Sequence, residues 1–271
     1  MGLRAAILQY CASGRAEDTL PVIDRLVRQA AADGAQLASL PECASFLAES
    51  RTALFEQAED PDNSPSLSSL IALARDTGLY LHIGSLMMRD KGSEKCANRG
   101  YLISPKGEII SQYDKIHMFT ASVGDGKEYR EADSFEAGRQ IVSCNTPIGH
   151  FGLSICYDVR FPHLYRQLAR KGAQILLVPA AFTEVTGRAH WHILLRARAI
   201  ETGCFVLAAA QIGTHADGRR TFGHGLVIAP WGEVIADAGQ QEEAVLMADL
   251  DFDDIDKARA AIPSLSNHQL D

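Results

Sequence analysis

Short apolar, β-rich runs recur along the whole chain, and this pattern limits the fold more than any other feature. The runs are Leu3 to Gln9, Leu37 to Leu40, Leu79 to Met88, Gly100 to Ser104, Ile141 to Cys144, Gly152 to Cys156, Ile175 to Pro179, Phe205 to Gln211, Gly225 to Ala229 and Ala244 to Ala248. Helical periodicity falls between some of them, over about Asp18 to Asp33, Ser66 to Thr77, His163 to Lys171, Ala189 to Thr202 and Asp253 to Ala261. Two segments, "SPKGEII" and "APWGEVI", repeat one device: a strand, a glycine turn and a second strand. Strands interleaved with helices, yet also joined as hairpins, predict α+β layers around packed sheets. The two hairpins hint at similar halves facing each other. No Ser/Gly linker or low-complexity tract interrupts the pattern, so 1–271 reads as a single domain.

Bulk properties narrow the function. Of 271 residues, 46% are hydrophobic, enough for one large core, and 26 basic against 34 acidic residues leave a charge of −8. That balance argues against a nucleic-acid partner and favours small molecules. The opening "MGLRAAILQY" has too short an apolar run for a signal peptide, and no stretch is long enough to span a bilayer. The expectation is a cytoplasmic protein without a membrane partner. Cys11, Cys43, Cys96, Cys144, Cys156 and Cys204 show no C-x-x-C spacing, so they read as reduced thiols with neither a metal knuckle nor a disulfide framework.

Cys156 has the most informative setting. In "GHFGLSICYDVRFPHLYRQLAR" the run Phe151 to Ile155 is strand-like, Asp158 offers a turn, and Pro162 suits a first helical turn. Leu164, Leu168 and Ala169 then give a helical stripe. A cysteine where strand gives way to helix is held by rigid elements on both sides, the logic of a nucleophile elbow. Taken alone, a free cysteine is more often a small buried hydrophobe. Two further segments place reactive side chains just past a strand: Glu42 in "LASLPECASF" and Lys115 in "ISQYDKIHMF". A thiol that cleaves an amide needs a base, an oxyanion stabiliser and an acid for the leaving amine. A glutamate, a lysine and the N–H after the cysteine supply all three.

These three blocks, "LPE", "YDKIHMF" and "ICYDVRFP", resemble in order and context the motif blocks of the nitrilase, or carbon–nitrogen hydrolase, superfamily. The likeness runs from "AILQY" to "GHGLVIAPWGEVIADAG". It implies a four-layer α-β-β-α sandwich, no cofactor, and Glu42, Lys115 and Cys156 as catalytic residues. "GKEYREADSFEAG" resembles the block that carries a second glutamate, which makes Glu131 the match and Glu128 its rival if the register slips. The activity implied is hydrolysis of a small-molecule amide to a carboxylate and ammonia through a Cys156 thioester. Residues from "YDKIHMF" to "FVLAAAQ" look most like the branch that holds the ω-amidases and the amidases of deaminated glutathione. One departure is "TASVGDG" after "HMF", with Thr120 and Val123 where the compared members usually carry an aspartate and a proline. That loop bears on substrate preference. The same transfer nominates Tyr157 (through its backbone), Arg160, Phe182 and Thr183 for substrate binding. Arg160 either holds a substrate carboxylate or forms a salt bridge with Asp158 or another acid. Homo-oligomers, a dimer at least, are implied through a helix near the cysteine and the C-terminal segment. A nitrilase proper, or an interaction module that keeps the fold, are the competing readings; a module has no need to retain all three reactive residues.

The histidines are weaker signals. His190 and His192 in "AHWH" lie in a helical pattern, where residues two apart diverge by about 200°, so no metal site is expected there. His117 reads as a structural histidine beside Lys115. "GTHADGRRTFGHG" lacks a nucleotide-binding spacing and reads as a loop and hairpin beside the site.

Overall fold

The computed structural model describes residues 2–124 and 128–267; part of "VGDGK", at 125–127, lies outside them. The strand Gly2–Tyr10 lies at the centre of an eight-stranded sheet. Leu37–Ser39, Tyr80–Met88, Ala97–Ile103 and Ile109–Asp114 follow on one side of it. On its other side it pairs antiparallel with Ala244–Asp251 and, at its far end, parallel with Ala210–Thr214, which carries Arg220–Phe222. A six-stranded sheet runs in the order Val234–Asp237, Leu226–Ile228, Phe205–Ala208, Ile175–Leu177, Gly149–Leu153, Ser143–Thr146.

The period of two along Gly2–Tyr10 shows how the layers stack. Leu3, Ala5 and Ile7 join a core with Phe151, Ile175 and Phe205 of the second sheet. Ala6, Leu8 and Tyr10 instead pack with Ile23, Leu26 and Val27 of helix α1 (Ala16–Ala32), and with Leu67, Leu70 and Leu73 of a second long helix, Pro65–Thr77. The outer face of the second sheet is covered by two further helices, Pro162–Arg170 and Glu184–Thr202. A methyl group on Gly152 would meet Leu168 and Ala173 at 3.1–3.2 Å, which shows how closely the first of them sits. The order is therefore helix, sheet, sheet, helix: the expected four-layer sandwich. Among the described residues no helix is long and apolar enough to cross a membrane.

In chain order the helices are α1, α2 (Arg51–Gln57), α3 (Pro65–Thr77), α4 (Pro162–Arg170), α5 (Glu184–Thr202) and α6 (Asp253–Ala261). Local chemistry sets their ends. Ser64 caps α3 by accepting the N–H of Leu67, Pro65 occupies its first turn, and Gly78 closes it at φ +70°. The two anticipated hairpins form, Ile103 pairing with Ile109 and Ile228 with Val234, one in each sheet.

One run departs from the sequence reading. Phe205 to Gln211 is two strands: Phe205–Ala208 belongs to the second sheet and Ala210–Thr214 to the first. Both halves are buried, so the run stays apolar while the chain changes sheet at Ala209, which leaves no polar residue to mark the crossing. The helix expected from Ala189 starts at Glu184, and α2 was not anticipated at all. Gly84 shows how tightly the first sheet meets the second. A methyl group there would lie 2.3 Å from the Leu40 carbonyl oxygen, 2.4 Å from that of Pro41 and 2.5 Å from Pro179 Cβ.

His82 lies in the same sheet, wholly enclosed, its Nδ1 2.8 Å from Ser39 Oγ. Burial pushes its pKa down to about 3. The folded protein thus keeps it neutral where the unfolded chain, near the ordinary pKa of about 6.5, takes up a proton. Its contribution is intact above that ordinary value and is lost as pH falls toward the folded one. Stability measured by urea unfolding should drop by about 1.4 kcal/mol per pH unit from this residue across that window. His82→Gln should remove that part of the slope; an unchanged slope would contradict the assignment.

Candidate active site

Three segments converge where strands of both sheets end. Leu37–Ser39 leads through Pro41 to Glu42, Ile109–Asp114 leads to Lys115, and Gly149–Leu153 leads to Cys156. Glu42 and Lys115 are 4% and 2% exposed, and Lys115 Nζ donates to Glu42 Oε1 at 2.8 Å. Glu131 completes the cluster: it accepts from Lys115 Nζ at 2.9–3.0 Å and from the Phe119 N–H at 2.7 Å. Glu128 instead lies on the exposed rim, paired with Arg130. The other oxygen of Glu42 accepts the N–H of Ala181 at 2.9 Å. Ala181 is fixed there by the sheet-crossing chain, since Ala180 donates to the Ala209 carbonyl and Gln211 donates to that of Ala180.

Asn98, from the first strand of the first hairpin (Ala97–Ile103), bridges the two carboxylates, donating to Glu42 at 2.9 Å and Glu131 at 3.1 Å. Gln211 donates to the Glu42 and Cys43 carbonyls. Neither was singled out from sequence, although a polar residue inside an apolar strand, as in "ANRGYLI", is a signal of this kind.

Cys156 begins a short 3₁₀ turn, Cys156–Arg160, with its N–H bound to the Pro179 carbonyl at 2.8 Å. Its φ of +48° lies in the left-handed region that side chains other than glycine avoid, at a cost of about 1–3 kcal/mol. Asp158 holds the turn. Fully buried, it accepts from the Ile155 N–H (2.9 Å), the Tyr113 hydroxyl (2.7 Å) and the His117 N–H (3.0 Å), and its Oδ1 is 2.7 Å from His117 Nδ1. One carboxylate therefore ties the segment bearing Lys115 to the turn bearing Cys156. Arg160 does not pair with Asp158. It lies against His190 and stacks over the rings of Phe182 and Tyr157, outside the cavity wall.

Charge and burial set the resting protonation. Burial alone would raise the Glu42 pKa, but the Lys115 ammonium, the Cys156 thiol and the Ala181 N–H bring it below the ordinary carboxylate value. Burial would lower that of Lys115, yet Glu131 and Glu42 hold it well above the usual amine range. Burial and then the charge of Glu42 push the Cys156 thiol well above its usual value. At neutral pH the arrangement is thus thiol, carboxylate and ammonium.

These groups form the floor of a cavity of about 360 Å³, also walled by Tyr157, Phe182, Thr183, Phe119, Tyr129 and the α2 residue Leu54. Its size suits a small molecule. His192, by contrast, meets residues remote in sequence and outside the cavity wall: His192 Nε2 and His224 Nδ1 lie 3.2 and 3.0 Å from the Asp237 carboxylate. The three ligand atoms sit within 4.8 Å of one another, so this trio, without His190, is the set able to hold a metal ion among the described residues.

The carbon–nitrogen hydrolase family pattern matches residues 4–260. Among curated proteins, the deaminated glutathione amidase of Yersinia enterocolitica is 40% identical over 89% of this chain and 83% of its own length. Among solved structures, the NitFhit protein of C. elegans superposes with a TM-score of 0.92 at 32% identity, over 99% of this chain and 65% of that one. A glutamate-to-glutamine mutant of an amidase from Nesterenkonia, which carries acrylamide added at its active site cysteine, gives 0.81 at 28% identity, over 96% of this chain and 98% of that one. The chain belongs to the carbon–nitrogen hydrolase family.

The raised thiol can be checked directly. Alkylation of Cys156 by iodoacetamide, followed by peptide mass spectrometry, should keep accelerating up to and beyond the ordinary thiol pKa of about 8.5. A rate that levels off near neutrality would contradict the thiol resting state.

Proposed function

We propose that this carbon–nitrogen hydrolase is an amidase in which Cys156 is the nucleophile, Glu42 the general base and acid, and Lys115 the oxyanion stabiliser. The observation that carries this reading is the buried contact of Lys115 with Glu42 on a cavity floor that Cys156 shares. Glu42 takes the thiol proton as the sulfur bonds to the amide carbon, and the carbonyl electron pair becomes an oxyanion. A lysine has three N–H donors; with two directed to Glu42 and Glu131, the third is free for that oxyanion, together with the Tyr157 N–H. Breaking the C–N bond sends the Glu42 proton to the leaving nitrogen and leaves a thioester. Water, deprotonated by Glu42, then replaces the sulfur, and the thiol regains its proton as the acid departs. Glu131 and Asn98 position Lys115 and Glu42. Tyr157, Phe182 and Thr183 contact the substrate; Arg160 stacks behind two of them.

The substrate proposed is deaminated glutathione, the compound named for the Yersinia relative. It has no primary amide, so the leaving group is an amine and not the ammonia that the sequence resemblance suggested; ammonia arises only from primary amides. The cysteine of the Nesterenkonia amidase, which is alkylated by acrylamide, supports the nucleophile assignment. We also place the protein in the cytoplasm as a dimer at least. Ile193, Ile200 and Val185 of α5 and nearby Trp231 are 48–69% exposed, an apolar surface of the kind that subunits cover.

The test is product formation from deaminated glutathione, α-ketoglutaramate, a plain aliphatic amide and a nitrile, with the released amine and ammonia measured separately. Deaminated glutathione should be the best substrate. Cys156→Ala should abolish turnover, and Glu42→Gln should lower kcat by about 10²–10⁴-fold. Because Glu42 is already ionised, kcat/KM should fall only at pH values below the ordinary carboxylate range. Full activity in Cys156→Ala would overturn the mechanism, and turnover of α-ketoglutaramate alone would reassign the substrate.

A further inference from the structure

Outside the catalytic cavity, metal-ligating atoms from three separate segments gather at one place. His192 stands on α5, His224 lies just before Leu226–Ile228, and Asp237 ends Val234–Asp237. His192 Nε2 and His224 Nδ1 are 3.2 and 3.1 Å from the same oxygen, Asp237 Oδ2. Two ligands of a tetrahedral zinc ion, each bonded at about 2.0 Å, stand about 3.3 Å apart. Both edges therefore already have the spacing of a metal site.

The backbone around the trio fixes the donors. His224 holds φ +52°, a conformation that costs about 1–3 kcal/mol and persists only where its surroundings enforce it. Its N–H donates to the Gly239 carbonyl at 3.0 Å, and its carbonyl accepts the indole N–H of buried Trp191 at 2.8 Å. Its ring stacks on Phe222, with centroids 4.4 Å apart. The Gly239 N–H in turn holds Asp237 Oδ1 at 2.8 Å and leaves Oδ2 as the oxygen that both histidines face.

Mutual hydrogen bonding accounts poorly for this cluster. Hydrogen bonds to a carboxylate contract to about 2.7–2.9 Å, as in the 2.7 Å contact of His117 with Asp158. Here His192 stays at 3.2 Å, and His224 Nδ1 lies between the two oxygens, at 3.0 and 3.1 Å. Nor does a fixed cation meet the charge: among the described residues Asp237 pairs with these two histidines and with no lysine or arginine. Two imidazoles and one carboxylate suit a zinc-like ion, whereas calcium and magnesium prefer oxygen throughout. The three side chains are 20–35% exposed, so an ion can enter and water can complete its shell.

We infer that His192, His224 and Asp237 bind a divalent transition-metal ion of the zinc class, with water as the fourth ligand. The trio stands outside the cavity wall, so the ion acts as a clamp that ties α5 to the hairpin of the second sheet. That helix starts beside Thr183 and carries Thr186, and both residues line the cavity. The clamp therefore steadies one wall of the reaction site.

The experiment is calorimetric titration of Zn²⁺ into tag-free, chelator-treated protein, with Co²⁺ as a spectroscopic probe. Wild type should bind one ion per chain, its Co²⁺ form should show the strong visible absorption of four-coordinate cobalt, and Zn²⁺ should raise Tm. Asp237→Asn and His192→Gln should each weaken binding at least about 10–100-fold, the loss that even outer-shell partners of a metal cause, and should abolish the Tm shift. Cys156→Ala should bind as wild type does, which separates this site from the catalytic thiol. The His192 side chain is partly exposed on a helix, so its variant keeps the test decisive if Asp237→Asn fails to fold. Wild type that takes up no ion, or binding that survives both substitutions, overturns the site. Variants that lower Tm while Zn²⁺ leaves wild type unchanged would show a hydrogen-bonded cluster alone and overturn it as well.

Discussion

A single ammonium holds the site together. Lys115 Nζ, 2% exposed, lies within 3.0 Å of both Glu42 and Glu131, so three ionisable groups share one water-poor space. Neither Glu42 nor Lys115 would stay charged there alone, since removing one member of a buried ion pair costs about 3–5 kcal/mol. The lysine keeps Glu42 a carboxylate, and burial together with that charge keeps Cys156 a thiol. The carboxylate is therefore able to accept a proton, while the thiol stays protonated in the resting site. Such a resting state spares the enzyme a standing thiolate, the form that oxidants and alkylating agents attack.

The scaffold supplies position more than charge. Asp158 binds both the Lys115 segment and the Cys156 turn, and Ala181, carried where the chain passes between the sheets, fixes the second oxygen of Glu42. Among the described residues, the positive φ angles outside glycine are those of Cys156, of Cys43 beside Glu42, and of His224. Close contacts at Gly84 lock the Leu40–Pro41 segment that precedes Glu42. Mutations distant from the thiol can thus act on catalysis by loosening these supports.

Much of this was legible in the sequence because apolar runs and glycine turns report local structure. The hairpins at "SPKGEII" and "APWGEVI", the layered core and the strand-to-helix setting of Cys156 depend on nearest neighbours along the chain. Partnerships across the fold left weaker traces. Asn98 reads as one polar residue in a strand and Asp158 as a turn former. The crossing at Ala209 is silent because both of its flanks are buried. For Arg160 the sequence left two readings open, and a pair with Asp158 does not form because that carboxylate is saturated by His117, Tyr113 and Ile155. His192 is similar, since its neighbours in space come from the hairpin and not from His190.

The covalent intermediate is the central claim, and trapping it is the most direct measurement. Protein mixed with excess deaminated glutathione, quenched in acid within the first turnovers and digested, should yield the Cys156 peptide heavier by the acyl group. The adduct should be removed by hydroxylamine, as a thioester is. Steady turnover with an unmodified Cys156 peptide, or with the acyl group on another residue, would contradict the account.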